Sequence, residues 1–167
     1  HDIVMSKSFD NGMVCASEQA VIIDKEVYDE FVEEFKSYHT YFVNKKEKAL
    51  LEEFCFGAKA NSKNCAGAKL NPDIVGKPAT WIAEQAGFSV PEDTNILAAE
   101  CKEVGEKEPL TREKLSPVIA VLKSESREDG VEKARQMVEF HGLGHSAAIH
   151  TADEELTKEF GKAVRAI

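Results

Sequence analysis

The sequence predicts an α/β fold in which helices cover a mostly parallel β-sheet. Apolar segments of four or five residues, the length of buried strands, alternate with longer segments whose apolar residues recur every three or four positions. This alternation is typical of parallel strands joined by helices. The chain has 167 residues, of which 43% are hydrophobic and 31% charged, so we expect one domain with its own core.

The first predicted unit is a strand followed by a helix. Residues 20–23 (AVII) are rich in β-branched side chains, and Asp24 follows them as the expected N-cap of a helix. The apolar side chains that share one face of this helix are Val27, Phe31, Val32, Phe35 and Tyr38. A second helix is predicted to begin after Asn44, to continue through Phe54 and to end at Gly57.

A polar connection separates the two halves of the chain. The segment from Gly57 to Gly76 is rich in Gly, Asn, Ala and Lys and has few large apolar side chains, which predicts a long loop or a mobile flap. Pro78 suits the first turn of a short helix that Gly87 ends.

The second half contains three further predicted strands, at 95–99, 118–122 and 146–150. Between the last two, Ser126 is predicted to cap a helix, so that these three elements form a βαβ unit. Asp153 is predicted to open the final helix.

The charge balance excludes two classes of partner. Thirty acidic and 21 basic side chains give a net charge of −9, which repels nucleic acid and anionic membrane surfaces. No apolar run approaches the roughly 18 residues of a membrane span, and the first residues, HDIVMSKSFDN, lack the apolar run of a signal peptide. We therefore expect a cytoplasmic protein that binds neither nucleic acid nor membrane.

The cysteines predict neither disulfides nor a metal site. Four cysteines allow two disulfides, but a chain of this length without an export signal is not a typical disulfide scaffold, so we expect free thiols. No CxxC pair and no zinc-finger spacing of cysteine and histidine occurs. We predict no metal.

Cys15 is the candidate nucleophile. It lies three residues after the turn dipeptide Asn11-Gly12 and just before the first strand. If residues 13–19 begin a helical turn, their free N–H groups favour a thiolate and can stabilise an oxyanion. A buried inert thiol, or an incidental surface one, is the alternative.

The segment SFDNGMVCASEQAVIIDKEVYDEF, which contains Cys15, resembles the nucleophile segment of the aldehyde dehydrogenase superfamily. The spacing of Gly12 and Cys15 follows the family order. Ala20 stands where non-acylating relatives usually have Arg, so the resemblance is to the CoA-acylating branch. The form CASEQ resembles the aldehyde dehydrogenase half of bifunctional aldehyde-alcohol dehydrogenases.

A second segment, Glu113-Lys114-Leu115-Ser116-Pro117-Val118, is similar to the family's Glu-x-Phe-Gly-Pro-Val. Leu115 and Ser116 replace the family's Phe and Gly. The resemblance implies that Glu113 holds the nicotinamide ribose, and a carboxylate can accept hydrogen bonds from both ribose hydroxyls. A solvated surface charge is the alternative for this glutamate.

A third segment, residues 142–147 (GLGHSA), is similar to the family's turn into a late strand. The resemblance implies that His145 lies near the thioester and positions or protonates the CoA sulfur. A histidine that only hydrogen-bonds its own loop is the alternative. We assign His39 and His150 to surface or packing roles.

The three resemblances together imply a CoA-acylating acetaldehyde dehydrogenase that works through a Cys15 thioester, with NAD as cofactor and CoA as co-substrate. Only 14 residues precede Cys15 and no G-x-G-x-x-G phosphate loop occurs. We therefore expect residues 1–167 to be a fragment of the catalytic domain that lacks the upstream NAD-binding domain and is inactive alone. The resemblance further implies a homo-oligomeric full-length protein and a downstream iron-dependent alcohol dehydrogenase domain.

Three alternatives remain open from the sequence. A standalone CoA-acylating propionaldehyde or succinate-semialdehyde dehydrogenase would share these motifs. Cys15 and His145 could instead form the catalytic pair of a thiol acyltransferase or hydrolase. The chain could also be a non-catalytic assembly module with an inert Cys15.

Overall fold

The computed structural model describes residues 1–57, 68–141 and 143–166. Within these ranges the helices and strands follow in the order α1 (Asp2–Ser8), β1 (Ala20–Asp24), α2 (Tyr28–Ser37), β2 (Thr40–Phe42), α3 (Lys45–Phe56), α4 (Ala79–Ala86), β3 (Ile96–Cys101), β4 (Val118–Ser124), α5 (Arg127–His141) and α6 (Glu154–Ala163). Short 3₁₀ turns occur at Phe9–Gly12, Pro72–Ile74 and Pro109–Thr111.

The four strands form one parallel sheet in the order β1-β4-β3-β2. Ala20 of β1 is in register with Ala120 of β4, and Leu97 of β3 with Val118 of β4. Because every strand runs the same way, all amino ends lie along one edge of the sheet and all carboxyl ends along the other. The predicted α/β class with a parallel sheet is confirmed.

Helices cover both faces of the sheet, since alternate strand residues point to opposite sides. One face packs against α3 and α4, whose Leu51 and Ile82 are fully buried. The other packs against α1 and α2 through Val4 and Phe35. The two apolar clusters give a three-layer arrangement with a core on each side of the sheet.

Several helix ends follow the predicted capping rules. Asn44 accepts hydrogen bonds from the backbone N–H of Lys46 and Glu47, and the Glu47 carboxylate accepts one from the Asn44 N–H, which completes a capping box. Gly57 ends α3 in the left-handed conformation. Asp153 caps α6 as predicted.

Two predicted features at the start of the chain differ from the structure. Asp24 does not cap α2: its carboxylate accepts from the Glu26 N–H in a turn, and the helix begins only at Tyr28. Helix α1 has no counterpart in the sequence prediction, because its seven residues are too few for a clear helical periodicity.

The predicted strand at 146–150 is wrong, and so is the βαβ unit that includes it. These residues pair with none of the four strands, and most of their side chains are exposed. The fourth strand is instead Thr40–Phe42, three residues directly after α2. Three residues are too few for a strand pattern, so only the pairing with β3 defines this element.

The predicted loop from Gly57 to Gly76 is described from residue 68 onward, and 58–67 lie outside the described residues. The described part is packed rather than free. The backbone N–H of Asn71 donates to the Cys55 carbonyl at 2.8 Å, and its side chain donates to the Phe54 carbonyl. Ile74 is fully buried. This part of the loop is therefore fixed against α3.

In the described ranges, no helix combines the length and the apolar character that a membrane crossing requires.

Candidate active site

Cys15 lies in an exposed turn between the 3₁₀ turn Phe9–Gly12 and β1. Two hydrogen bonds from Ser17 close the turn. The Ser17 N–H donates to the Val14 carbonyl at 2.9 Å, and the Ser17 hydroxyl donates to the Gly12 carbonyl at 3.1 Å. The expected helical turn over residues 13–19 is wrong, since these residues form turns and bends. Cys15 therefore does not lie at a helix N-terminus.

The backbone before Cys15 is left-handed at three successive residues. Asp10, Asn11 and Gly12 have φ values of 48°, 51° and 67°. Left-handed non-glycine residues are uncommon and cost free energy, so the surrounding contacts must hold them. One such contact is the Asn11 side chain, which donates to the Gly76 carbonyl at 3.1 Å.

Gly12 joins the Cys15 turn to the Glu113 segment. A Cβ at this position would lie 2.6 Å from the Ser116 carbonyl oxygen and 3.0 Å from the Lys7 carbonyl oxygen. No side chain fits in this space, so the glycine allows three backbone segments to pack together. The structure thus brings together two of the three motifs that the sequence singled out.

A buried lysine also stabilises this junction, the contact between the Cys15 turn and the Glu113 segment at Gly12. Lys114 is fully buried, and its Nζ donates to the carbonyls of Gln19, Leu110 and Arg112 at 2.6 to 3.0 Å. Its backbone N–H donates to the Gln19 side chain at 3.0 Å. Burial lowers the pKa of Lys114 to about 8. The segment before β4 is thereby fixed to the residue that leads into β1.

Glu113 is exposed at this edge of the sheet, immediately before the buried Lys114. The Leu115 carbonyl that follows accepts a hydrogen bond from the Gly76 N–H at 3.0 Å. Glu113 also interacts electrostatically with the buried Lys7 of α1. An exposed carboxylate on a fixed backbone can accept hydrogen bonds from a diol.

The structure does not bring His145 to Cys15. His145 is exposed, and its Nδ1 accepts a hydrogen bond from the N–H of Ser146 at 2.8 Å. Among the described residues it makes no hydrogen bond with the Cys15 thiol. The catalytic pair expected for a thiol hydrolase is therefore not formed here.

Exposed apolar side chains occur on α1, in the 3₁₀ turn after it and in the turn that contains Cys15. Met5, Phe9, Met13 and Val14 are each at least 39% exposed. An open groove beside Cys15 is lined by residues of α1 and of the turn: Met5, Ser6, Phe9, Val14, Ala16 and Ser17. Clustered exposed apolar side chains mark a surface that meets a ligand or another protein segment.

The other described cysteines are unsuitable nucleophiles. Cys55 and Cys101 are buried free thiols, and burial raises the pKa of each to about 12. Cys65 lies outside the described residues. In the part of the chain that the structure describes, no group of three or more His, Cys, Asp or Glu side chains is placed to bind a metal.

Sequence reasoning missed two lysines of this site, Lys7 and Lys114. Both stand in polar surroundings in the sequence, where a lysine is normally a solvated charge. Both are 0% exposed in the structure. No sequence pattern identified them, because their burial depends in part on contacts between segments far apart in the chain, such as that of Lys114 with Gln19.

Comparisons with known proteins agree with the motifs. No protein-family model matches the chain. Over all 167 residues it is 93% identical to part of an aldehyde-alcohol dehydrogenase of Streptococcus pneumoniae and spans 19% of that protein's length. It is 36% identical over 154 residues to an acetylating succinate-semialdehyde dehydrogenase of Clostridium kluyveri, covering 92% of this chain and 32% of the relative.

The fold also matches a solved structure. An acetylating aldehyde dehydrogenase from Geobacillus thermoglucosidasius superposes with a TM-score of 0.88 at 37% sequence identity. The match covers 98% of this chain and 34% of the other. The similarity therefore extends over almost all of this chain and about a third of the larger structure.

Proposed function

We propose that the chain belongs to the CoA-acylating branch of the aldehyde dehydrogenase superfamily, as its similarity to these relatives supports, and that it carries the nucleophile of an acylating aldehyde dehydrogenase. The reaction converts an aldehyde, CoA and NAD into acyl-CoA and NADH, and it is reversible. The observation that carries the proposal is the junction at Gly12, which fixes the exposed Cys15 and the exposed Glu113 to one edge of the sheet.

Cys15 performs the covalent steps. Its thiolate adds to the carbonyl carbon of the aldehyde and forms the alkoxide of a thiohemiacetal, which becomes a thioester when the carbon loses a hydride. Bound NAD supplies the hydride acceptor. The CoA sulfur then attacks the thioester carbonyl, and the Cys15 thiolate leaves as acyl-CoA forms. The apolar side chains beside Cys15 suit the hydrocarbon part of the aldehyde.

Glu113 is proposed to hold the cofactor. Its carboxylate is exposed, and carboxylate oxygens accept hydrogen bonds from the two hydroxyls of a ribose. The sequence contains no glycine-rich phosphate loop, so other segments of the parent protein would complete the cofactor site. Residues 1–167 would then be part of the catalytic, nucleophile-bearing domain.

His145 is assigned a role in the CoA step only as a proposal from the family motif. In this chain the imidazole of His145 accepts a hydrogen bond from the N–H of the next residue, Ser146. A role at the thioester therefore requires that the His145 loop adopt a different position in the complete enzyme. The kinetics of CoA-dependent thioester release in a His145→Gln variant would test the assignment.

The bifunctional parent is favoured over a standalone enzyme by the 93% identity to an aldehyde-alcohol dehydrogenase, compared with 36% to the succinate-semialdehyde enzyme. We accordingly propose that the complete protein is a homo-oligomer that also contains an iron-dependent alcohol dehydrogenase domain.

The acyl-enzyme tests the proposed function directly. The complete enzyme, incubated with acetyl-CoA and digested, should carry an acetyl group on the Cys15 peptide. The Cys55 and Cys101 peptides are internal controls, because burial keeps their thiols protonated. Cys15→Ala should abolish the label and aldehyde oxidation together. A variant that still oxidises aldehyde would contradict the proposal.

The isolated chain provides a second test. We expect it to fold, since it has a core on each face of its sheet, but to show no NAD-dependent oxidation of acetaldehyde in the presence of CoA. Absorbance of NADH measures the turnover, with the complete enzyme as the control. Robust turnover by the 167-residue chain would place the whole cofactor site within it.

A further inference from the structure

Gly76 connects the Cys15 turn to the Glu113 segment through hydrogen bonds. Its carbonyl oxygen accepts from the Asn11 side chain at 3.1 Å, and its N–H donates to the Leu115 carbonyl at 3.0 Å. Both backbone polar groups of this one residue are therefore used between two segments that are far apart in the chain. We call this pair of hydrogen bonds the Gly76 bridge.

The chain that leads to the bridge is anchored to the core. The backbone N–H of Asn71 donates to the Cys55 carbonyl at 2.8 Å, and its side chain donates to the Phe54 carbonyl at 3.2 Å. Ile74 is fully buried in the apolar cluster that contains residues of α3 and α4. Gly76 is thus a fixed reference to which both motif segments are bonded.

The turn that contains the nucleophile also packs closely on Gly76. A Cβ added at Gly76 would lie 3.2 Å from the sulfur of Met13, and the φ of this glycine, 68°, is left-handed. Asn11 and Met13, the residues on either side of Gly12, therefore both contact Gly76. Packing at Gly12 limits how closely the two motif segments approach, whereas hydrogen bonds are directional and also fix their orientation.

The two residues that are bonded to Gly76 have strained backbones. Asn11 and Leu115 have φ values of 51° and 47°, in the left-handed region that non-glycine residues seldom adopt. Such residues persist only where the surrounding structure holds them, and they cluster at functional sites. The strain lies at both ends of the Gly76 bridge.

Asn11 differs from an ordinary turn asparagine. In a turn, an asparagine side chain typically bonds to its own backbone two residues further on. The Asn11 amide instead donates to a carbonyl that is 65 residues away in the chain. Glycine and aspartate also tolerate the left-handed conformation. The turn alone therefore does not require the N–H donor of an asparagine at this position.

We propose that Asn11 is a positioning residue: its hydrogen bond to Gly76 fixes the Cys15 turn relative to Glu113, and so places the thiohemiacetal carbon against the nicotinamide. This inference rests on the proposed roles of Cys15 and Glu113. Asn11 acts through the Gly76 bridge and not by contact with substrate or cofactor.

The test uses the complete enzyme with Asn11→Gly, and Asp10→Gly as the matched control at an exposed residue whose φ, 48°, is nearly the same. Glycine adopts this conformation without strain, so Asn11→Gly removes the hydrogen bond and keeps the turn. It should lower kcat for acetaldehyde oxidation by roughly tenfold or more, because small displacements of reacting groups have large effects. The KM for NAD should stay near its wild-type value, since Glu113 remains in place. Asp10→Gly should leave both values unchanged.

Three further measurements separate positioning from a loss of structure. Acetylation of Cys15 by acetyl-CoA, which needs no NAD, should keep its wild-type rate in Asn11→Gly. Deuterium on the carbonyl carbon of acetaldehyde should slow this variant at least as much as the wild type, because hydride transfer limits its turnover. Thermal unfolding should show that the variant is folded at the assay temperature. A smaller isotope effect, or acetylation slowed by the same factor as kcat, would overturn the positioning role.

A second substitution covers a failure to fold. Asn11→Asp keeps the shape of the side chain, but a carboxylate has no N–H to donate to Gly76. It should show the same selective fall in kcat. If the enzyme folds with neither Gly nor Asp at position 11, Asn11 is required for folding and the positioning role is overturned.

Glu113→Gln separates this inference from the proposed function. If Glu113→Gln slows hydride transfer and Asn11→Gly does not, the role of Asn11 fails and the proposed function stands. If Glu113→Gln has no effect, the cofactor assignment itself fails, and the role of Asn11 fails with it.

Discussion

The two edges of the sheet, at the carboxyl and the amino ends of the strands, differ in the partners of their buried lysines. At the carboxyl edge, Lys48 of α3 forms ion pairs with Glu52 and Glu108, and Glu108 also accepts a hydrogen bond from the Lys102 N–H. At the amino edge, the Nζ of Lys114 donates hydrogen bonds only to carbonyl oxygens. The Nζ of Lys7 has no hydrogen-bond partner among the described residues. The carboxyl edge pairs its partly buried lysine with carboxylates, whereas neither buried lysine of the amino edge forms an ion pair with the described residues.

The backbone shows the same contrast. Four non-glycine residues among those described have a positive φ, namely Asp10, Asn11, His39 and Leu115. Three of them flank the junction of the Cys15 turn and the Glu113 segment. Strain and unpaired polar groups are retained where the surrounding structure fixes them for a purpose. The strained backbone therefore lies at the amino edge, where the proposed nucleophile and the proposed cofactor contact also lie.

This location departs from the usual rule for open α/β sheets, in which ligands bind at the carboxyl ends of the strands. The candidate nucleophile Cys15 precedes β1, and Glu113 precedes β4. The departure is consistent with a site that other segments of a longer protein complete, because this chain spans 19% of the relative that it matches at 93% identity.

The largest effect is expected at Gly12, at the amino edge. Gly12→Ala should destabilise the chain by roughly 3 kcal/mol or more, because the new Cβ meets the Ser116 carbonyl and a left-handed residue is also strained. Gly57→Ala is the matched control: its φ of 66° is nearly the same, but no atom of the described residues would lie within 4 Å of the new Cβ. It should cost about 1–2 kcal/mol. Urea unfolding measures both, and equal losses would contradict the close packing at Gly12.

At the carboxyl edge, Lys48→Met should cost about 2–3 kcal/mol, because it leaves the partly buried Glu52 and Glu108 without their cation. Lys7→Met should leave the free energy of unfolding unchanged or raise it. Urea unfolding of the two variants compares the edges directly. A larger loss at Lys7 than at Lys48 would reverse the expected difference between the two edges.

The two edges should also differ in their pH dependence. Burial lowers the pKa of Lys114 from the ordinary 10.5 to about 8, so the unfolded chain binds more protons between these values. Stability therefore rises with pH in this window, by at most about 1.4 kcal/mol per pH unit. The free energy of unfolding of the wild type minus that of Lys114→Met should increase from pH 7.5 to pH 9.5.

Lys48 provides the control for that measurement. Burial lowers the pKa of Lys48, but Cys101 and the carboxylates of Glu108 and Glu52 outweigh burial and raise it overall. The contribution of Lys48 to stability is therefore fully present below pH 10.5 and is lost only above it. The difference between wild type and Lys48→Met should stay constant from pH 7.5 to pH 9.5. A parallel rise for both lysines would indicate a general effect of pH on the fold.

The smallest effect on stability is expected at the nucleophile. Cys15→Ala should change the free energy of unfolding by less than about 0.5 kcal/mol, because the side chain is exposed. Cys55→Ala, at a fully buried position, should cost about 1 kcal/mol.

Brief labelling with limiting iodoacetamide should modify Cys15 first. Faster labelling of another cysteine would argue against Cys15 as the reactive thiol.

The sequence by itself determined the features that local interactions specify. Asn44, Gly57, Gly87 and Asp153 mark helix ends through contacts with residues a few positions away, and their positions were predicted correctly. The strands β1, β3 and β4 follow from continuous apolar runs. The motif around Cys15 identified the family because the order of its residues is itself specific.

Tertiary structure alone decided the remaining features. The segment 146–150 has the composition of a strand but no partner among the described strands, whereas Thr40–Phe42 becomes a strand because β3 lies beside it. The burial of Lys7 and Lys114 depends on segments about 100 residues apart in the chain. A hydropathy pattern assigns a lysine to solvent, since only the packing of distant segments can exclude water from its amine.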